Sequence, residues 1–230
     1  MLTITYNTRY INMKLNIFTY FSCCILFFAL SGCKPEKLDV ELYTSDIQKA
    51  STAGIMQVPV TMIFSLYSND NNGDLVKASA IARHFLNAKA QIKIVKEDLG
   101  DAMLIKATFP MGTQLAVDNY LTKHPRPLAL IIKGNHIQLS DTHYLDNLNA
   151  QLQKINPLLS IEAGAKSTFF HVIGDMSQVS EIKATAVFID QQPKLYFKNK
   201  VARRDRVSIE FKGEKASVYS QIPPQINIQF

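Results

Sequence analysis

Asp141-Thr142-His143-Tyr144-Leu145-Asp146-Asn147-Leu148-Asn149-Ala150-Gln151-Leu152-Gln153-Lys154-Ile155 is the stretch on which the fold class turns. Leu145, Leu148, Leu152 and Ile155 fall on one face of a helix. Asp141 stands where a cap belongs, and Asn156-Pro157 ends the run. Before this helix, strand and helix patterns alternate; after it, only strand patterns follow. That order predicts an α+β fold, with a mixed N-terminal half of two or three helices and a mostly antiparallel β C-terminal half.

Upstream, Leu38-Asp39-Val40-Glu41-Leu42 alternates as a strand does. Ser45 and Gln48 have capping-box spacing for a helix to Ala53, which Gly54 stops. Val58, Val60, Met62, Phe64 and Leu66 share one face of a second strand, and Pro59 places it at an edge or a strand start. Residues 69–73 read as a turn, and 74–86 as a helix striped by Leu75, Ala78, Ala82 and Phe85. Strands are expected over 91–96 and 103–109, one or two helical turns over 114–121, and a hairpin over 128–139. Downstream, strands are expected over 159–163, 167–173, 183–189, 194–197, 207–211, 216–220 and 226–230. Pro125 and Pro127 mark a soft boundary. It separates an α+β region, 38–126, from a helix-plus-antiparallel region, 127–230, and the two are also readable as one continuous domain.

The N-terminus reads as an export signal. Lys14 precedes an uncharged apolar run over 17–30, the charged and hydrophobic parts of a signal peptide. A spanning helix needs about 20 apolar residues, so the run is short for a permanent anchor. Residues 1–12 read as an upstream extension, with Met13 as the start. Leu30-Ser31-Gly32-Cys33 resembles the lipobox of bacterial lipoproteins. Small residues at 31 and 32 admit the backbone to a signal peptidase, and the Cys33 thiol accepts lipid. Residues 1–32 are then a signal peptide and 33–37 a lipidated tether. Cys23 and Cys24 leave with the signal, so the mature chain has no disulfide and relies on a packed core. Two or more acyl chains hold a protein firmly to a bilayer. By resemblance to the sorting rule of enterobacterial lipoproteins, Lys34 after the cysteine favours the outer membrane, facing the periplasm.

Removing Arg9 and Lys14 from the formal charge of +6 leaves +4. The excess is concentrated in 194–215, where eight basic residues face Asp205, Glu210 and Glu214. Lys198, Lys200, Arg203, Arg204 and Arg206 read as a loop between two strands, held outward to meet an anionic lipid surface or an envelope protein, or simply solvated. Nucleic acid is excluded as a partner by the compartment.

Catalytic and metal patterns are weak. Ser68-Asn69-Asp70-Asn71-Asn72-Gly73 begins like a calcium loop but places Ser79 where the bidentate glutamate belongs. His84, His124, His136, His143 and His171 have no metal-binding spacing on one helix, although His136 and His143 flank a turn. Glu97, Asp98 and Asp101 gather around Gly100, where paired carboxylates either do acid–base work or are solvated. No metal, cofactor or catalytic residue is assigned. Ile226, Ile228 and Phe230 alternate as in the final strand of an outer-membrane barrel, yet an ordinary closing strand suffices.

Gly32-Cys33-Lys34, Leu38-Asp39-Val40-Glu41-Leu42 and Ser45-Asp46-Ile47 resemble a family of small lipoproteins of enteric bacteria and their phages or prophages. A fainter similarity covers Ala186-Val187-Phe188-Ile189-Asp190. The resemblance spans about a quarter of the chain, and the family has no assigned activity, so it implies no functional residues. The expected function is a non-enzymatic, lipid-anchored binding or structural protein of the envelope. A phage-encoded exclusion lipoprotein and a cell-wall hydrolase are the alternatives.

Overall fold

A two-residue period governs most of the chain. Val58, Val60, Met62 and Phe64 are buried while their neighbours Gln57, Pro59, Thr61 and Ile63 are not, the signature of a strand with one face in a core. The structure, a computed structural model, describes residues 36–52, 54–65, 73–86, 89–97, 100–157, 159, 166–213 and 224–230. Its strands are β1 (Lys37–Tyr43), β2 (Met56–Ser65), β3 (Gln91–Glu97), β4 (Gly100–Thr113), β5 (Leu128–Lys133), β6 (His136–Asp141), β7 (Ser167–Ile173), β8 (Ser180–Ile189), β9 (Gln192–Val201), β10 (Arg206–Lys212) and β11 (Gln225–Gln229). Among the described residues the helices are α1 (Thr44–Thr52), α2 (Asp74–Phe85), α3 (Gln114–Lys123) and α4 (Tyr144–Ile155).

The strands form one barrel, which corrects the α+β expectation. The pairing runs β10-β7-β1-β2-β4-β5-β6-β11-β8, and β8 returns to β10 at Phe188 opposite Glu210, closing a ring of nine. The remaining strands hang on this ring, β3 on β4 and β9 on β8. The physical reason for the difference is long-range pairing. β1 lies parallel to β7, with Lys37 opposite Ser167, and β4 lies parallel to β5. Strands from before and after residue 126 therefore share one sheet, and the C-terminal half is not a separate antiparallel layer.

The inward faces are apolar. Leu38, Val40, Met62, Ile105, Phe109, Leu130, Phe170 and Ile228 belong to one buried cluster, joined by Ile47 and Ala50 of α1, Leu75 and Ala78 of α2, and Leu148 and Leu152 of α4. Burying each such large side chain stabilises the fold by about 1.5–3 kcal/mol. α3 packs on the opposite face of β5, where Val117 and Leu121 meet Ala129 and Ile131. An apolar interior with charged strand residues such as Lys37, Asp39, Lys106 and Arg206 facing out is the reverse of a transmembrane barrel. Among the described residues no helix is long and apolar enough to cross a membrane.

The first turn of α1 departs from the capping box expected at Ser45 and Gln48. Asp175, 130 residues away, caps it: its Oδ1 accepts the Ser45 N–H at 2.9 Å and the Thr44 hydroxyl at 2.8 Å, and its Oδ2 accepts the Ser45 hydroxyl at 2.5 Å. Partial burial pushes the Asp175 carboxyl up, but these hydrogen bonds outweigh it and hold the group below its ordinary 3.8. A carboxyl lowered on folding stabilises the protein above its unfolded value and ceases to do so as pH falls through the folded value. Asp175→Ala should therefore cost about 1 kcal/mol at pH 7, the usual worth of a cap. The difference from wild type should close below about pH 4. Urea melts at several pH values test this; a penalty equal at pH 7 and pH 3 would refute the cap.

α4 also starts differently from expectation: Asp141 ends β6, and the Thr142 hydroxyl accepts the Tyr144 N–H at 3.3 Å.

Candidate functional site: the basic turn and the outer wall beside it

The basic segment is mostly strand, not loop. Lys198 and Lys200 lie in β9, Arg206 opens β10, and only Arg203 and Arg204 occupy the turn between them. β9 is exposed along almost its whole length and, among the described residues, pairs only with β8. Lysines along an open edge discourage pairing with other chains, and that explains Lys194, Lys198 and Lys200 without a ligand. Lys198 is further engaged by Glu181, Nζ to Oε2 2.9 Å, while Glu181 Oε1 takes Lys183 at 2.9 Å. Hydrogen bonds from Lys183 and Lys198 hold the Glu181 carboxyl below its usual range, and the bond to Glu181 raises the Lys198 ammonium. Arg206 reaches Glu41 at 3.8 Å.

The turn itself is built rigidly. Gly174 N–H donates to Asp205 O at 2.9 Å, Arg204 N–H to Gly174 O at 2.7 Å, and Asp205 N–H to Ala202 O at 3.1 Å. The Asp205 carboxylate accepts the Ala202 N–H at 2.8 Å. Arg204 holds φ at +73° while Arg203 stays negative, so the four residues 202–205 make a type II turn with arginine in its third place. Both arginine side chains are exposed.

On the wall beside the turn, three strands bring together residues far apart in sequence. His171 of β7 sits opposite Ser208 of β10, with Nδ1 2.8 Å from Ser208 Oγ. Its Nε2 lies 3.0 Å from Asp39 Oδ1 on β1. Asp39 also takes Lys37 at 3.0 Å, and the Phe169 ring stacks on His171 with centroids 5.9 Å apart. Burial pushes the Asp39 carboxyl up, but hydrogen bonds from His171 and Lys37 prevail and lower it. An imidazole oriented by a carboxylate beside a hydroxyl can take that hydroxyl's proton. It is also what cross-strand pairing of polar residues produces on a solvated sheet face. An open groove of about 340 Å³ lies farther round, lined by Glu41, Pro59, Thr61, Gln91, Lys106 and Thr108. Ser208 stands three strands from the Thr61 side of that groove, about 14 Å at ordinary strand spacing.

No family model, no curated protein and no solved structure matches the chain. The site is therefore read from its own geometry.

The other sequence candidates are scattered. Leu30, Ser31, Gly32 and Cys33 lie outside the described residues, as do Asp98 and 68–72 of the calcium-like stretch. The Ser79 hydroxyl donates to Val76 O within α2. Asp101 lies in β4 opposite Lys96. His84 is exposed on α2, His124 follows α3, and His136 and His143 are exposed at opposite ends of β6. Among the described residues no three His, Cys, Asp or Glu side chains are grouped to hold a metal ion. Sequence reading missed the Asp39–His171–Ser208 relay because its members stand on three strands whose adjacency no local pattern reveals. The outward phase of Asp39 beside Leu38 and Val40 was the one visible signal.

Proposed function

We propose that the chain is a lipid-anchored envelope protein, held through Cys33 on the periplasmic face of the outer membrane, whose barrel binds a partner rather than transforming one. The observation that carries this reading is the register of β1, β7 and β10. β1 begins at Lys37, four residues after Cys33, a span of at most about 14 Å. Lys37 is level with Ser167 and Lys212, whereas Tyr43 is level with Ile173 and Arg206. Six residues of strand separate these levels, about 20 Å. β1 begins at one end of the barrel and the basic turn occupies the other.

This arrangement supports an anchored module standing on its tether end. The anchoring headgroups then lie beyond the roughly 8 Å over which exposed charges act at physiological salt, so the basic turn addresses something other than the bilayer that holds the protein. Binding is favoured over hydrolysis because Ser208 is exposed on the open wall, and the nearest residue lining the groove, Glu41, stands two strands from it.

Cys33→Ser tests the anchor. The variant should incorporate no labelled fatty acid, remain as unprocessed precursor, and lose the membrane residence of the mature form. Maturation at the same position with retained membrane association would exclude the lipidation reading.

A further inference from the structure

We propose that Arg203 and Arg204 form a clamp for the carboxylates of peptidoglycan, presented at the end of the barrel away from the tether. The inference rests on the anchored reading for its direction, but the clamp itself is read from the turn.

Four features converge there. First, glycine or asparagine is the usual occupant of the third place of a type II turn, because the left-handed region penalises other side chains. Arg204 holds that place at φ +73°, as Ala186, Asp190 and Gln191 hold positive φ elsewhere, so the arginine sits there at a conformational cost that glycine would avoid. Second, hydrogen bonds to Gly174 and within the turn fix the backbone, so the arginines are presented without further ordering of the main chain. Third, Lys198 and Arg206 are matched by Glu181 and Glu41, whereas Arg203 and Arg204 have no ion pair among the described residues. Two exposed arginines consecutive in the chain offer guanidinium groups, which suit planar oxyanions through paired N–H donors. Fourth, the turn lies about 20 Å along the strands from the end at which β1 begins. On the periplasmic face of an outer membrane, the anionic polymer that stands off the bilayer is peptidoglycan, whose stem peptides carry free carboxylates.

Edge protection does not explain these two residues, since they lie beyond β9 rather than along it.

The test uses the full-length chain purified in a zwitterionic detergent, so that it is independent of the anchor. Wild type should co-sediment with purified peptidoglycan sacculi, less so as salt is raised. The double variant Arg203→Ser/Arg204→Gly should bind about tenfold more weakly, a loss of about 1.4 kcal/mol. Arg204→Gly alone should melt at or above the wild-type temperature while binding less. Equal sedimentation of wild type and double variant, or none by wild type, would overturn the proposal. So would a clear fall in the melting temperature of Arg204→Gly, which would make the arginine a structural support. Arginine-dependent binding to phosphatidylglycerol vesicles but not to sacculi would replace the cell wall by a lipid surface. The Cys33→Ser result bears on the anchor alone, so the two readings fail separately.

Discussion

Gly174→Ala should cost on the order of 4 kcal/mol, placing it among the severe single substitutions. A Cβ at this position would stand 1.9 Å from Ala202 O, 2.8 Å from Ala202 C and 3.0 Å from Val201 Cγ1. The nearest obstacle is backbone, so no rotamer change relieves it. Gly174 is buried, and its N–H and C=O both bind the 204–205 segment. The chain therefore either parts these strand ends, stranding hydrogen-bonding groups, or deforms the turn. Gly134→Ala is the control. Gly134 has φ +60° and nothing within 4 Å of the added carbon, so the conformational penalty alone should appear, about 1 kcal/mol. Chemical denaturation of the two variants compares them directly. A Gly174→Ala penalty no larger than that of Gly134→Ala would show that the contact relaxes freely. Because the same bonds fix Arg204, Gly174→Ala should also weaken anion binding in whatever fraction stays folded.

Phe170→Ala should cost about 3–5 kcal/mol, the usual range for a buried phenylalanine that leaves a cavity. Phe170 is wholly buried, lies opposite Val40 on β1 and Ile209 on β10, and meets Phe211 edge-on at 5.4 Å. Interiors are close-packed, so the surrounding strands cannot collapse fully into the space. Phe170 also bridges β1 and β10, the strand that closes the ring, so the loss falls on the unfolding of the whole barrel. Denaturant midpoints at unchanged slope would show this. A cost below about 1 kcal/mol would mean that the β1–β7–β10 wall is loosely packed.

The individual elements were largely legible in the sequence. Leu38, Val40 and Leu42 alternate with Asp39 and Glu41, and β1 lies there. The strand expected over 167–173 matches β7 to the residue, and the stripe of Leu145, Leu148 and Leu152 gives α4. Each of these depends on a residue's near neighbours. What period two does not carry is the identity of the adjacent strand. The wish of Val40 to face a core is equally satisfied beside any apolar strand, so nothing local says that β1 lies parallel to β7. The same gap turned a closed barrel into an α+β expectation. It also made Lys198 and Lys200 loop residues, because charge on both sides of Phe197 hides a strand whose two faces are nearly all exposed. Asp175 was unreadable for a related reason: a cap recruited from across the fold leaves no spacing signature beside α1.

The long reach of β1 has a kinetic consequence. A chain that emerges N-terminus first from a ribosome presents β1 and β2 early, but β1 gains its second neighbour only when Ile173 has followed. The ring then waits for β11, which follows all the other strands in the sequence, to join β6 to β8. Pairings between such distant segments close slowly, and open strand edges attract other chains in the interval. Nascent protein should therefore spend a vulnerable period with its first strands formed and its last absent, in which it depends on holding factors and on the speed of its own delivery.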